Sequence, residues 1–303
     1  MCLDTQHHFF VLLISLLLIS TLSGQDNRII THRVSPGIYM LEGKGGNIGV
    51  SVGSDGVFLI DDKFAELSDS IKTAIANITP KPIKFILNTH WHGDHTGGNA
   101  NFGKAGVVIV AHENVRKRLN SEQFIKFFQN KVPPSPPIAL PVITFTRDIT
   151  FHLNGEEIYV FHVDNAHTDG DAIVYFRNAN VIHTGDVFFS GRYPFIDLSS
   201  GGSLQGTIDA VSKIFNLINA NTKIIPGHGP LSTSEDLSTY WSVLVTISTR
   251  VRKLIKEGKT REEVLAAHPS KEFDPQWGNG TIKPDDFVGF VYDDLIKTHS
   301  PGN

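Results

Sequence analysis

The sequence predicts a mixed α/β protein built as a four-layer αββα sandwich, in which helices cover the outer faces of two central β-sheets. After Gln25, short β-rich runs alternate with helix-length segments, and this succession occurs once on each side of a proline-rich tract at residues 132–141. The chain has 303 residues, of which 40% are hydrophobic and 19% are charged. These values are typical of a globular protein and exclude a disordered or fibrous one.

The first half opens with strands. Three strand candidates at residues 38–41, 48–52 and 57–60 are separated by glycine-rich turns, which predicts an antiparallel meander. Residues 67–78 carry apolar side chains at the spacing of one helical face, and Pro80 and Pro82 end that helix. We then expect strands at residues 83–87 and 107–110, and a charged helix at residues 113–119.

The second half repeats this layering. The tract at residues 132–141 holds five prolines, which predicts an extended connector on the surface. Strands are expected at residues 149–153, 158–163, 172–176, 181–183 and 223–225, with a helix at residues 207–218. Further helices are expected at residues 241–255, 261–267 and 285–296. The sequence therefore predicts one domain over residues 25–303, with a helical extension from about residue 234.

The N-terminus is typical of an export signal. Residues 9–19 form an apolar run that is too short to span a bilayer, and small residues follow at Ser20, Ser23 and Gly24. We expect residues 1–24 to be a signal peptide, which places the mature chain in the periplasm or outside the cell without stable membrane association. An uncleaved anchor or a misassigned start are the alternatives.

Charge and cysteine content exclude several functions. Lys and Arg total 27 against 31 for Asp and Glu, so no basic field attracts nucleic acid. The one cysteine, Cys2, precedes the apolar run and would leave with the signal peptide. A mature chain without cysteine has no disulfide, no thiolate ligand and no cysteine nucleophile.

Candidate metal ligands lie directly after predicted strands. The run His90, His92, Asp94, His95 has the spacing H-x-H-x-D-H, and in a tight loop such side chains can serve two metals. Three more candidates, His167, Asp186 and His228, each follow another predicted strand. Ligands at neighbouring strand ends converge at one edge of a layered fold. Together the seven groups suffice for two ions that each keep a position open for water.

The HWHGDH run, followed in order by His167, Asp186 and His228, resembles the metallo-β-lactamase superfamily over roughly residues 29–230. The resemblance implies that His90, His92 and His167 bind a first metal, that Asp94, His95 and His228 bind a second, and that Asp186 bridges both. Asp186 stands where one β-lactamase subclass has a cysteine. The chain is therefore more similar to the glyoxalase II, lactonase and general hydrolase branches.

The expected cofactors are two Zn²⁺ ions, with iron or mixed metals as alternatives. A hydroxide held by the two ions would attack the carbonyl of a small-molecule ester, thioester, lactone, amide or lactam, with Asp94 and Asp186 as the catalytic carboxylates. Two other functions stay open at this point. One is an iron-dependent sulfur dioxygenase, and the other is a metal-stabilised binding protein without activity. The oligomeric state is also open.

The segment after Asp186 is aromatic and contains one cation. We expect Phe188 and Tyr193, together with Phe189 and Phe195, to line a substrate pocket in which Arg192 binds a carboxylate through two hydrogen bonds. The alternatives are that these aromatics belong to the core and that Arg192 is solvated or bound to Asp197. Trp91 either faces the pocket or packs beneath the loop. Asp61 and Asp62 either cap a helix or support a ligand histidine.

Overall fold

Two β-sheets face each other in the computed structural model, which describes residues 27–299. The expected signal peptide at residues 1–24 lies outside the described residues. The strands are β1 (Ile30–Ser35), β2 (Ile38–Glu42), β3 (Ile48–Gly53), β4 (Gly56–Ile60), β5 (Ile83–Asn88), β6 (Val108–His112), β7 (Gln123–Ile125), β8 (Asn130–Val132), β9 (Ile143–Phe145), β10 (Asp148–Leu153), β11 (Glu156–His162), β12 (Ala172–Phe176), β13 (Val181–His183) and β14 (Lys223–Ile225).

The first sheet has seven strands in the order β1-β2-β3-β4-β5-β6-β9. Its first four strands pair antiparallel, as the predicted meander requires, whereas β4, β5, β6 and β9 pair parallel. The second sheet has five strands in the order β10-β11-β12-β13-β14, and only its last pair is parallel. Strands β7 and β8 form a separate hairpin.

The helices are α1 (Ser68–Ala76), α2 (Gly93–Thr96), α3 (Asn99–Lys104), α4 (Glu113–Leu119), α5 (Leu204–Phe215), α6 (Ser234–Lys256), α7 (Arg261–Ala266), α8 (Asp274–Trp277) and α9 (Pro284–His299). Helices α1 and α3 pack on the outer face of the first sheet, and α5, α6 and α9 pack on the outer face of the second. Within residues 27–299, none of the helices combines the length and the apolar character needed to span a membrane.

Three separate apolar clusters correspond to the three interfaces of a four-layer sandwich. Strand β4 shows this alternation: Phe58 and Ile60 face the cluster between the sheets, while Val57 and Leu59 face the cluster beneath α1. In β11, alternate side chains likewise enter the middle cluster and the cluster beneath the C-terminal helices. Because both faces of each sheet are covered, the central strands are apolar throughout. The predicted αββα class is confirmed.

Some elements differ from the prediction. Strand β1 lies before the expected first strand, and its ITHRVS sequence is too polar to show an apolar period. The β7–β8 hairpin and β9 have three-residue strands, which are too short for a periodic pattern. Helix α5 begins at Leu204, three residues before the predicted start, because the Ser203 hydroxyl caps it by accepting from the Gly206 N–H at 2.9 Å. The proline-rich tract contains one 3-10 turn, Pro137–Ala139.

Candidate metal centre

All seven predicted ligands lie at one end of the sandwich, where strands of both sheets finish. The chain leaves β5 at Asn88 and enters α2 at Gly93, so His90 and His92 lie on the connecting loop and Asp94 and His95 lie in the first turn of α2. Backbone N–H groups of His95 and Thr96 donate to the His92 carbonyl at 3.0 and 3.1 Å, so the loop closes directly into the helix. The other three ligands follow β11, β13 and β14.

The first group of ligands is His90, His92 and His167. One nitrogen from each ring lies within 4.8 Å of the others, and all three side chains are buried. The His167 Nε2 atom is 2.9 Å from His92 Nδ1. Three imidazole nitrogens facing one point are the donor set that zinc binds in hydrolytic sites.

The second group is Asp94, His95 and His228, whose ligand atoms also lie within 4.8 Å of one another. The His228 Nε2 atom is 3.2 Å from Asp94 Oδ2 and 3.5 Å from His95 Nε2. Asp94 and His228 are partly exposed, whereas His95 is fully buried. The second group is therefore the one that opens toward solvent.

Asp186 lies between the two groups. Its Oδ2 atom is 3.9 Å from His90 Nε2 and 3.6 Å from His167 Nε2, both in the first group. Its Oδ1 atom is 3.1 Å from His95 Nε2, and its Oδ2 atom is 3.4 Å from His228 Nε2, both in the second group. One carboxylate thus presents oxygen to all four rings, which is the position that a bridging ligand needs.

A buried atom without a partner shows that these residues fit metal ions. The Nε2 atom of His90 is buried and makes no hydrogen bond, although Nδ1 of the same ring lies 3.1 Å from the Thr89 hydroxyl. Leaving a buried polar atom unpaired costs free energy, which a bound cation would recover. The nitrogen and oxygen donors suit zinc, and a single iron is an alternative.

The rings are held from behind by acceptors. His92 Nε2 is 3.0 Å from Asp197 Oδ2, His95 Nδ1 is 2.7 Å from Asp61 Oδ2, and His167 Nδ1 is 2.8 Å from the Phe195 carbonyl. Because carboxylate and carbonyl oxygens only accept, each ring places its N–H there and turns its other nitrogen toward the ligand cluster. These contacts assign the tautomers.

Charges within the cluster shift several pKa values. Burial lowers the pKa of His167 to about 4, so this ring is neutral and can donate its lone pair. Burial also acts on His228, but the carboxylates of Asp186 and Asp94 outweigh it and raise the pKa of His228 to about 9. Burial raises the pKa of Asp94, yet the imidazoles of His95 and His228 hold it below its ordinary value. A metal entering the second group must therefore displace a proton.

A cavity of about 480 Å³ opens over the two groups. Asp94, Asp186 and His228 reach it from the ligand cluster, and Phe189 stacks on the His228 ring with centroids 5.1 Å apart. The C-terminal part of the chain adds Thr281 and Ile282. We call this space the metal cavity.

A family model described as the metallo-beta-lactamase superfamily matches residues 42–228, a span that contains all seven ligands. The chain belongs to this superfamily. The resemblance to this superfamily, inferred from the HWHGDH run and the three later ligands, is thus confirmed.

Relatives within the metallo-beta-lactamase superfamily are distant. The chain is 28% identical over 150 residues to a hydroxyacylglutathione hydrolase of Pelagibacter ubique, which covers 48% of the chain and about half, 52%, of that relative. It is 22% identical over 194 residues to metallo-beta-lactamase type 2 of Bacteroides fragilis, covering 61% and 72% of the two proteins. A metallo-beta-lactamase structure from Pontibacter korlensis superposes with a TM-score of 0.58 at 20% identity, covering 72% of this chain and 99% of that one. This last similarity concerns the fold.

Two residues expected to line the pocket need correction. Phe188 is fully buried and packs on Tyr240 with ring centroids 5.0 Å apart, away from the metal cavity. Trp91 is also buried and packs beneath the loop, which was the alternative expectation. Each lies beside a residue that faces the ligand cluster, in extended or loop backbone where successive side chains point to opposite sides.

The other expected pocket residues do line the metal cavity. These are Phe189, Arg192, Tyr193 and Phe195. Tyr193 contributes its ring only, because its hydroxyl donates to Asp274 at 2.8 Å. Arg192 is half-buried and has no acidic partner in the part of the chain that the structure describes. Asp197 does not bind it, because that carboxylate accepts from His92.

Several supporting residues were missed by the sequence prediction. Asp197 and the Phe195 carbonyl support ligands, although neither lies at a diagnostic spacing. Asn47 donates to the carbonyls of Pro226 and Gly229, which hold the His228 loop from both sides. The sequence left two roles open for Asp61 and Asp62. In the structure Asp61 holds the His95 ring, whereas Asp62 accepts a hydrogen bond from the Gly98 N–H at 2.9 Å and fixes the start of α3.

Gly46 supplies a test of the second ligand group. A Cβ atom on Gly46 would overlap the His95 ring, whereas a Cβ atom on Gly93 would meet nothing within 4 Å. Neither glycine has a positive φ, so the difference is one of space. We expect Gly46→Ala to displace His95 and to lower the bound metal from two ions to one per chain, as measured by elemental analysis. Gly93→Ala is the matched control and should retain two. Equal metal content in both variants would contradict this assignment.

Asp197 supplies a test of the first ligand group. Asp197→Asn retains the shape of the side chain but weakens its acceptance of the His92 N–H, so the ring loses orientation. We expect metal affinity at the first group to fall about 10-fold to 100-fold, measured by competition with a chromophoric chelator. Asp164→Asn, at an exposed carboxylate outside the cluster, should leave the affinity unchanged. An Asp197→Asn protein with undiminished affinity would show that the contact is dispensable.

Proposed function

We propose that the protein is a dinuclear zinc hydrolase that cleaves an ester, thioester, lactone, amide or lactam of a small molecule. The observation that carries the proposal is the pair of ligand groups, joined by Asp186, at the base of a cavity of about 480 Å³. A site of this volume suits a small organic substrate. Membership of the metallo-beta-lactamase superfamily supports hydrolysis as the reaction class. The substrates that the relatives' names state are not assigned to this chain.

In this proposal His90, His92 and His167 hold one ion, Asp94, His95 and His228 hold the other, and Asp186 contacts both. Bound zinc would supply two effects, a lowered pKa of water and polarisation of the substrate carbonyl. The ligands carry two carboxylates against the four charges of two divalent ions. The site therefore keeps a net positive charge toward the oxygen that becomes anionic during hydrolysis.

The two carboxylates have different tasks because their exposure differs. The Asp186 side chain is 5% exposed and is enclosed by four imidazoles, so its task is to hold the two ligand groups at a fixed separation. The Asp94 side chain is 24% exposed and borders the metal cavity. Asp94 is therefore the carboxylate that can accept a hydrogen bond from the attacking water and orient it toward the carbonyl.

Arg192 and Phe189 orient the substrate. A half-buried guanidinium without an acidic partner can bind a carboxylate through two parallel hydrogen bonds. Phe189 covers one face of the His228 ring and provides an apolar wall beside the second ligand group. The substrate class is thus a carbonyl compound that carries a carboxylate and some apolar surface.

The geometry favours this proposal over the two alternatives. An iron-dependent sulfur dioxygenase with one metal has no need of Asp94, His95 and His228 as a second group, yet all three converge. A structural zinc site is closed by four protein ligands, whereas these groups border an open cavity. The complete second group and the cavity together favour a two-metal hydrolase.

The proposal includes export of a single-domain protein. The apolar run at residues 9–19 supports a signal peptide, and the mature chain would act in the periplasm or outside the cell. The absence of cysteine after Cys2 suits an oxidising compartment, where a free thiol would be a liability. N-terminal sequencing of the secreted protein tests the cleavage point near Gly24.

A substrate panel tests the reaction. We expect zinc-loaded protein to hydrolyse at least one of an aryl ester, an acyl lactone, S-lactoylglutathione and nitrocefin, measured by absorbance. Activity should vanish after chelation and return with zinc. The Asp186→Ala protein should bind less metal, and its kcat should be at least 100-fold lower, because the carboxylate between the two ligand groups is removed. Undiminished hydrolysis by metal-free protein would refute the proposal. Oxygen uptake with a persulfide would instead identify the dioxygenase.

Arg192→Ala tests the carboxylate subsite. For a hydrolysed substrate that carries a carboxylate, we expect KM to rise about 10-fold or more with little change in kcat, because a charge-assisted hydrogen-bond pair is lost. The neutral methyl ester of the same substrate should show no such increase. Arg147→Ala removes an exposed arginine that lies away from both the ligands and the metal cavity and serves as the control. An equal rise in KM for charged and neutral substrates would argue against the subsite.

A further inference from the structure

A second cavity, of about 600 Å³, adjoins the metal cavity. Phe195 lines both spaces, and the rest of the partition is the turn of the β7–β8 hairpin. Along that turn the residues alternate between the cavities, since Phe127 borders the second cavity and Phe128 borders the metal cavity. The two cavities therefore lie on opposite sides of one aromatic wall, in which Phe195 is the residue common to both.

Four aromatic rings form a continuous cluster across this partition. The Phe195 centroid lies 5.0 Å from that of Phe128, 5.8 Å from that of Phe127 and 5.7 Å from that of Phe290. Phe127 and Phe290 are 4.8 Å apart. The cluster presents apolar surface to both cavities, so a single apolar group can contact rings on each side.

The hairpin exposes more apolar surface than its own packing explains. Phe127 and Phe128, which border the cavities, are 36% and 47% exposed, although phenylalanine is usually buried. A hydrogen bond from the backbone N–H of Lys126 to the side-chain hydroxyl of Ser199, at 3.2 Å, connects the turn to the segment beneath it. Contiguous exposed aromatics beside a cavity are typical of a ligand-binding surface.

Charges on the second cavity do not select an ionic ligand. Arg261 and Asp293 pair with each other at 3.0 Å on its wall. Lys126 and Lys297 are balanced by Asp285 and Asp286. The remaining carboxylate, Asp197, is buried and held by His92. Because these charges are balanced, most of the favourable free energy of ligand binding would come from covering the apolar side chains of Leu198, Leu265 and Phe290.

We propose that the second cavity binds the apolar tail of the substrate whose carbonyl lies in the metal cavity. This inference rests on the proposed hydrolase function and narrows its substrate class to amphiphiles with a chain of several carbons. The reacting carbonyl and its carboxylate lie between the ligand groups and Arg192, and the tail passes Phe195 to lie against Phe127 and Phe290.

A matched set of hairpin variants tests the second cavity, which we call the tail cavity from here on. Phe127→Ala removes a ring that borders this cavity, and Phe124→Ala removes a ring of similar exposure on the same hairpin that borders neither cavity. The probes are aryl esters with acyl chains of two, four, eight and ten carbons, assayed with zinc-loaded full-length protein. We expect kcat/KM to rise about fourfold per methylene until the chain fills the cavity. The long-to-short ratio should fall about tenfold in Phe127→Ala and remain unchanged in Phe124→Ala.

A binding measurement separates failure of the tail cavity from failure of the hydrolase proposal. Calorimetric titration with decanoate and butanoate requires no turnover, and the ratio of their affinities isolates the tail. We expect decanoate to bind at least tenfold more tightly, with the difference reduced in Phe127→Ala only. Hydrolysis or binding that is independent of chain length, or a ratio that Phe124→Ala and Phe127→Ala reduce equally, overturns the tail cavity. If no ester is hydrolysed, the reaction proposal fails, and the decanoate titration alone decides whether the cavity binds apolar chains.

Discussion

The fixed orientation of buried imidazoles is the constraint on which the site depends. Rings that face one point with their lone pairs repel each other unless a cation lies between them, so a chain that buries them must hold each one from behind. Asp61, Asp197 and the Phe195 carbonyl do this for three rings, and each comes from a different strand or loop than the ring that it holds. Two sheets whose strands end together are what bring such distant segments within hydrogen-bond reach.

One segment contributes to both the candidate metal centre and the wall of the metal cavity. Between Asp186 and Asp197 the chain supplies the ligand common to both groups, the cation Arg192, and two of the acceptors that orient ligand rings. A shift of this segment would therefore move the wall of the metal cavity and the ligand side chains together. A change in the backbone of this segment is expected to alter metal affinity and the shape of the metal cavity together, whereas truncation of the Arg192 side chain alone leaves the ligand groups in place. Residues on the β7–β8 hairpin can vary with less effect on the candidate ligands, because Phe127 and Phe128 border the cavities and pack on Phe195 rather than on a ligand ring.

The convergence of the seven candidate ligands was predictable from sequence because each follows a strand, and strand ends are visible as short apolar runs. Strands β12, β13 and β14 have the predicted bounds for this reason. The side of the chain that each aromatic faces was not predictable. Phe188 and Phe189 are adjacent and equally apolar, and in extended backbone they point to opposite sides, so only the register against α6 decides which one is buried. Asp197 was missed because its partner His92 is 105 residues away and no local pattern links them.

The division between shared chemistry and individual specificity follows the chain. The superfamily match at residues 42–228 contains every ligand and every acceptor that orients one. Part of the cavity walls comes from outside it: Thr281 and Ile282 border the metal cavity, and Leu265 and Phe290 border the second one. Asp274 accepts from the Tyr193 hydroxyl, and the Trp277 carbonyl accepts from the Tyr193 N–H, so this C-terminal part is fastened to the segment that carries Arg192. Relatives matched only within residues 42–228 therefore lack a counterpart for the part of both cavity walls that residues 265–290 supply, so a substrate preference set by that part has to be measured on this chain.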